Sequence, residues 1–390
     1  MKAILNTLAK QIRGVSYKPE NVLSSSTGNG VPLLRANNIR NNLVNFDELV
    51  FIDKKCVKED QYLQKGDILV CTSSGSRMLV GKSAYIDKNY PYVFGAFCRV
   101  IRPQHVNHKF LAYYFQSPSY YHQISQFIAG ANINNIRSSD IDQMIIDVPD
   151  ISQQEKIVVK FDKIFKLISL RHKQLMLYDE LIKSRFVEMF GTALDAISNA
   201  QNIISDVAKV QVGIVIKPTR FYAVGREGVK AFRSLNVLPF HVNEDSDWVY
   251  FSKSGMEQSK RTIVHENDIL VVRSGNPGTA CVVSKDYDGC NVIDLIIVHP
   301  DKSKILPQYL CAYLNFDHGM IQINGQSHGV AQKHFNVSMC ENLKVLVPSL
   351  QKQNEFVDFL DQVDKSKLAV QASMDKLKLL RKSLMQQYFK

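Results

Sequence analysis

The sequence is written twice, and this repeat constrains the fold more than any single motif in it. Leu8-Ala9-Lys10 returns as Val207-Ala208-Lys209, Gly14 as Gly213 and Lys18-Pro19 as Lys217-Pro218, each about 199 residues on. Arg35-x-x-Asn38 returns as Arg233-x-x-Asn236, and Asp67-Ile68-Leu69-Val70 as Asp268-Ile269-Leu270-Val271. Gly130 returns as Gly329, and Val148-Pro149 with Gln154 returns as Val347-Pro348 with Gln353. The offset drifts by only a few residues, so the halves share a layout with small loop changes. A chain of 390 residues carries two ordinary domains.

Each half begins with short β-type runs separated by turn signals. In the first they are VPLLRANNI, ELVFID, DILVCTSS and KSAYID, followed by a helical pattern at HKFLAYYFQ. Each half then ends in one long segment free of internal Gly and Pro, preceded by Pro149 or Pro348. The division is therefore 1–150 as a first domain, 151–190 as a helix, 191–347 as a second domain and 348–390 as a second helix. Ile157, Phe161, Ile164, Ile168, Leu175, Tyr178, Ile182 and Met189 follow the 4-3 spacing of an a/d seam, broken by Arg171 and Arg185. Phe356, Leu360, Val363, Val370, Met374, Leu377, Leu384 and Tyr388 do the same, broken by Lys367 and Arg381. Such a seam packs on another helix. A rod of about 57 Å exceeds what one small domain covers, so the two helices are expected to pack on each other, with the polar breaks helping to set register.

Candidate catalytic motifs fail on spacing. GSRMLVGKS at 75–83 follows an apolar run and ends in Gly-Lys-Ser, as a nucleotide-phosphate loop does. Its glycines enclose five residues where that loop needs four, and the repeat copy, RSGNPGTACVVS, lacks the Lys-Ser. Gly325-Gln326-Ser327-His328-Gly329 matches a hydrolase elbow, but the later His334 has no acid before it. No Asn-Pro-Pro-aromatic motif of base methylation and no convincing nuclease pattern occurs. The chain is expected to be non-catalytic.

What remains suits reading DNA. Lys and Arg exceed Asp and Glu by 48 to 37, an excess that favours a polyanionic partner. Arg reads guanine, Asn or Gln reads adenine, and Lys, Arg, Ser and Thr hold phosphates. The first half offers Arg35, Asn37, Asn38 and Arg40, then Ser73, Ser74, Ser76, Arg77 and Lys82, then Asn132, Asn134, Asn135 and Arg137. The second offers Arg233, Asn236, Arg273, Ser274 and Asn276, then Gln326, Ser327, His328, Gln332, Lys333 and His334. Singly these are ordinary turn residues, but they recur at matched places with different identities, as two surfaces reading different sequences would. The seven cysteines form no CxxC pair and read as reduced, buried thiols of a cytoplasmic protein. No apolar run approaches a membrane span.

On the two-fold repeat, the Arg-x-x-Asn and Asp-Ile-Leu-Val turns, and Val-Pro-x(4)-Gln leading into a long helix, the chain resembles the specificity subunit of a Type I restriction-modification enzyme. The resemblance implies an α+β fold. Two mixed β-rich/α target-recognition domains would be separated by two long antiparallel coiled-coil helices with pseudo-two-fold symmetry. It implies double-stranded DNA as ligand, read as an asymmetric two-part site, with two modification (methyltransferase) subunits docked and restriction/translocase subunits in the full complex. No cofactor is expected in this chain; S-adenosylmethionine, ATP and Mg would belong to partner subunits. The rival reading is a basic coiled-coil adaptor with two protein- or RNA-binding domains.

Overall fold

The computed structural model describes residues 1–24, 28–129, 135–325 and 335–390. The chain divides into two units, Met1–His172 with Gln371–Lys390, and Lys173–Val370.

In the first unit every side chain of strand Ile68–Cys71 is buried, so the strand lies inside a sheet covered on both faces. Its antiparallel neighbours are Cys98–Pro103 and Ser83–Tyr85, and Ala9–Arg13 forms the edge beyond Cys98–Pro103. The register, with Leu69 opposite Val100, sends Leu69, Cys71 and Val100 to a core shared with Leu34 and Phe94. Ile68, Val70 and Ile101 go to the other face, against Phe110 and Leu111 of helix His108–Tyr114. A second sheet runs in the order Val93–Phe94, Gly30–Leu34, Val50–Asp53 and Val22–Leu23.

The second unit repeats this topology by itself. Its main sheet runs Ala208–Val212, Leu295–Pro300, Ile269–Val272, Ala280–Val282, and its smaller one Val249–Phe251, Val229–Phe232, Asn291–Val292. Six of the seven cysteines are buried, and Cys56 is half-buried.

Three of the repeated motifs are structural devices. A Cβ on Gly14 would lie 2.1 Å from the Gly95 carbonyl oxygen, and one on Gly213 2.6 Å from that of Val292, so both sites admit only glycine. Asp67 is buried and accepts two 2.8 Å hydrogen bonds from Arg102 and one from the Gln64 N–H. Asp268 repeats the device with His299 and the His265 N–H. The Gln154 amide oxygen accepts the Asn107 N–H at 2.9 Å while its nitrogen donates to the Pro149 carbonyl. Gln353 likewise accepts from Leu306 and donates to Lys304 and Pro348. Each glutamine pins the start of a long helix to the domain before it.

The long helices are Ile151–Phe190 and Leu350–Tyr388. Within the first unit Phe161 meets Phe389 at 5.9 Å and the Arg381 guanidinium lies over Phe165. Within the second, Lys367 pairs with Asp179 at 2.7 Å, Arg185 lies over Phe359, and Phe190 meets Phe356. In each unit rising numbers on one helix meet falling numbers on the other, so the pairing is antiparallel. Lys367, Arg185 and Arg381 all face a partner across the seam. Every seam residue is buried or half-buried. Toward two of the helix ends the seam drifts from its expected line. Phe186 and Phe190 are buried where Met189 is half-buried, and Met385 and Phe389 where Leu384 and Tyr388 are. There the helices turn toward domain cores, with Phe190 on Tyr309 and Phe389 on Phe110, and a 3.6-residue turn slips against a 3.5-residue repeat. Among the described residues no helix is long and apolar enough to cross a membrane.

Candidate nucleic-acid interface

The first unit carries a concave cleft of about 1130 Å³ where strand ends and connecting turns converge. Strand Ile68–Cys71 ends in Thr72, whose N–H donates to the Phe97 carbonyl at 2.9 Å, as does that of Ser73 at 3.1 Å. The Ile136 N–H donates to the Thr72 carbonyl at 2.8 Å, and Asn135 bridges Ser73. These backbone bonds hold three chain segments together. The cleft gathers Arg35, Asn37, Ser73 and Ser74, four residues expected from sequence to meet DNA.

The stretch from Gly75 to Ser83 is the turn of the hairpin between Ile68–Cys71 and Ser83–Tyr85. Ser76 and Arg77 are exposed, and Arg77–Leu79 forms a single 3-10 turn. Gly81 has φ +85°, and Tyr120 donates to its carbonyl at 2.8 Å, so it closes the turn against the fold. Lys82 is half-buried, whereas Arg40, Asn135 and Arg137 are exposed.

Asn38 and Asn236 correct the sequence reading. Asn38 is 1% exposed; it accepts the Arg35 N–H at 2.8 Å and donates to the Asn45 and Asp47 carbonyls at 2.9 and 2.8 Å. Asn236 is equally buried, accepting from the Arg233 N–H and donating to Ser246 Oγ and the Asp247 carbonyl. With oxygen and nitrogen both engaged inside the turn, neither amide is presented to a base. The repeated Arg-x-x-Asn is a turn lock.

In the second unit, Arg233 donates to the carbonyl and carboxylate of Asp247, and Arg273 pairs with Asp294 and donates to the Phe335 carbonyl. Both guanidinium groups are thus held in place by neighbours. Ser274 is half-buried and Asn276 exposed. Asn132, Asn134, Gln326, Ser327, His328, Gln332, Lys333 and His334 lie outside the described residues.

Sequence reasoning weighed polar donors and missed Tyr17 and Phe97, which also line the cleft. Phe97 is 69% exposed although its carbonyl is anchored by three donors, Thr72 Oγ1 being the third. Its signal was a large apolar residue directly after Gly95-Ala96, in a turn. Beneath the cleft Cys98 faces Cys71 across the paired strands. Its hydrogen bond to Cys71, with Cys98 as donor, and then burial push the Cys98 thiol well up, so the floor carries no thiolate from Cys98 at neutral pH. A concave surface offering guanidinium, amide, hydroxyl and aromatic groups suits a nucleic-acid duplex edge.

Residues 17–176 and 233–377 match the family described as Type I restriction modification DNA specificity domain. The chain is 28% identical over 378 residues to the Type I restriction enzyme StySPI specificity subunit of Salmonella potsdam. It is 26% identical over 389 residues to the EcoKI specificity subunit of Escherichia coli strain K12. Each alignment covers 93% of this chain and 81% of the relative. Among solved structures, a chain from a study of complex assembly and conformational transition of the type I R-M system superposes with TM-score 0.62 at 15% identity. That likeness covers 100% of this chain and 97% of the other. The Type I S subunit from M. genitalium gives TM-score 0.55 at 14% identity, covering 100% and 96%. Both likenesses concern the fold.

Proposed function

From its place among the Type I restriction-modification specificity subunits, the family to which this chain belongs, we propose that each unit reads one half of an asymmetric, two-part duplex DNA site. The family assigns the chain DNA target recognition within a restriction-modification complex, as a subunit that is not itself catalytic. Residues 1–150 and 191–347 serve as the two recognition domains, and 151–190 with 348–390 as the helices on which two modification subunits dock. Restriction/translocase subunits join in the full complex. S-adenosylmethionine, ATP and Mg act in those partners, and the assembly works in the cytoplasm.

The observation that carries this reading is the cleft of the first unit, which brings Arg35 and Asn37 together with Ser73 and Ser74. Ser76, Arg77, Lys82, Asn135, Arg137 and Arg40 surround it in this reading, and Arg233, Arg273, Ser274 and Asn276 act in the second unit. Differing side chains at matched places give differing half-sites.

Methylome sequencing of the host with and without the gene tests the proposal. A two-part motif should lose its methylation in the deletion and regain it on complementation. Replacing residues 1–150 with those of another family member should exchange one half-site only. An unchanged methylome, or exchange of both half-sites, refutes it.

A further inference from the structure

Arg13 and Arg99 are direct cross-strand partners on Ala9–Arg13 and Cys98–Pro103. Residues so placed hold their Cβ atoms about 5 Å apart, and like charges there repel. Among the described residues neither guanidinium has an ion-pair or hydrogen-bond partner, and Arg99 Nε is buried with no acceptor. Burial and then the Arg13 charge lower the Arg99 pKa; Asp142 acts the other way without forming an ion pair, its carboxylate already accepting from Gln11.

The second unit shows what this register position otherwise holds. Val212 faces Ile296 there, and Ile296 is fully buried. A position that is apolar in one repeat therefore carries two unpaired cations in the other, and core packing does not explain the change. Strand alternation turns both arginines to the face of Val70 and Ile101, opposite Cys98, and the strand ends bearing them run on into Val15–Tyr17 and Gly95–Cys98, which line the cleft. Exposed Arg137 follows the segment that pairs with Thr72 and Ser73.

The geometry points to a phosphate clamp: Arg13 and Arg99 together take one backbone phosphate of the duplex bound beside the cleft. The inference rests on the DNA reading above. A phosphodiester between the two guanidinium groups cancels their repulsion and offers their remaining N–H donors the acceptor that neither group has. Such a contact positions DNA and carries no sequence information.

The test uses the subunit assembled with its modification subunits and a duplex containing the motif that the complex methylates. Binding is titrated against salt for wild type, Arg13→Gln, Arg99→Gln and the double variant. Each variant should bind roughly tenfold more weakly on every sequence, with a log–log salt slope shallower by about 1. A single neutral methylphosphonate in the first half-site should weaken wild type by a similar factor and cost the double variant nothing further. The methylated motif should stay the same, and melting temperatures should hold or rise as repulsion is relieved. An unchanged salt slope in both variants overturns the clamp, as does a changed motif, which would make the arginines base readers. Loss of stability would make the pair structural and also overturns it. A wild-type complex without salt-dependent binding defeats the DNA reading itself, an outcome distinct from an unchanged slope.

Discussion

Replacing Asn38 with alanine separates a turn lock from a base reader. The substitution removes one acceptor, used by the Arg35 N–H at 2.8 Å, and two donors, used by the Asn45 and Asp47 carbonyls at 2.9 and 2.8 Å. The side chain is 1% exposed, so water does not freely replace these partners. A net hydrogen bond contributes about 1 kcal/mol, and a buried group left unpaired costs about 1–3 kcal/mol. Three bonds, with some relaxation of the loop, give about 3 kcal/mol. In a unit of this size each kcal/mol moves the melting temperature by about 2–4 °C, so the transition of the first unit should fall by about 6–12 °C. Hydrogen exchange on the purified subunit would localise the loss, with the Arg35 and Asn38 amides losing protection before the core strand Ile68–Cys71. The methylated motif should be unchanged wherever the variant still assembles. Asn236→Ala should act in the same way on the second unit, where the amide bonds to Arg233, Ser246 and Asp247. A variant of Asn38 with wild-type stability and an altered base in its half-site would refute the assignment.

Three other outcomes are open to measurement. With the long helices setting the distance between the two half-sites, inserting four helix-forming residues near Leu175, a lengthening of about 6 Å, should widen the unread bases between them by about two base pairs; a changed half-site would refute that role of the helices. Arg77→Ala should weaken duplex binding several-fold, with nucleotide binding by this chain absent before and after; the binding isotherms of the assembled complex check both. His318 is buried in the second unit, its pKa held below the ordinary value by burial, with Lys183 adding to the shift and the Gly191 carbonyl and Asp317 opposing it. Above about pH 6.5 both folded and unfolded chains carry it neutral; below that the unfolded chain binds the proton first, so stability should fall with acid. His318→Gln should flatten the melting temperature of that unit between about pH 7 and 5, and an unchanged pH profile would remove His318 as the cause.

Much of the architecture was legible because its signals are local or periodic. The strands at Gly30–Leu34, Val50–Asp53, Ile68–Cys71 and Ser83–Tyr85 fall on apolar runs bounded by turn residues. The helix seam followed from spacing, except where Phe186, Phe190, Met385 and Phe389 leave the line to meet domain cores. The site was less legible. A repeated Asn in a turn looks the same in sequence whether it faces solvent or its own backbone, and Asn38 and Asn236 face the backbone. Phe97 gave no polar signal, and its exposure depends on a carbonyl anchored by residues more than twenty positions earlier.

The sequence by itself determined the duplication, the two long helices and the family, since repeat spacing and a 3.5-residue apolar period need no knowledge of distant contacts. It also settled that the Gly-Lys-Ser stretch is no phosphate loop, because that motif depends on spacing alone. Tertiary structure decided which repeated residues hold the fold and which stand free. Only strand register places Arg13 opposite Arg99, and Val212 opposite Ile296 in the other repeat. That opposition joins positions far apart in the chain through backbone hydrogen bonds, which no local pattern of side chains encodes.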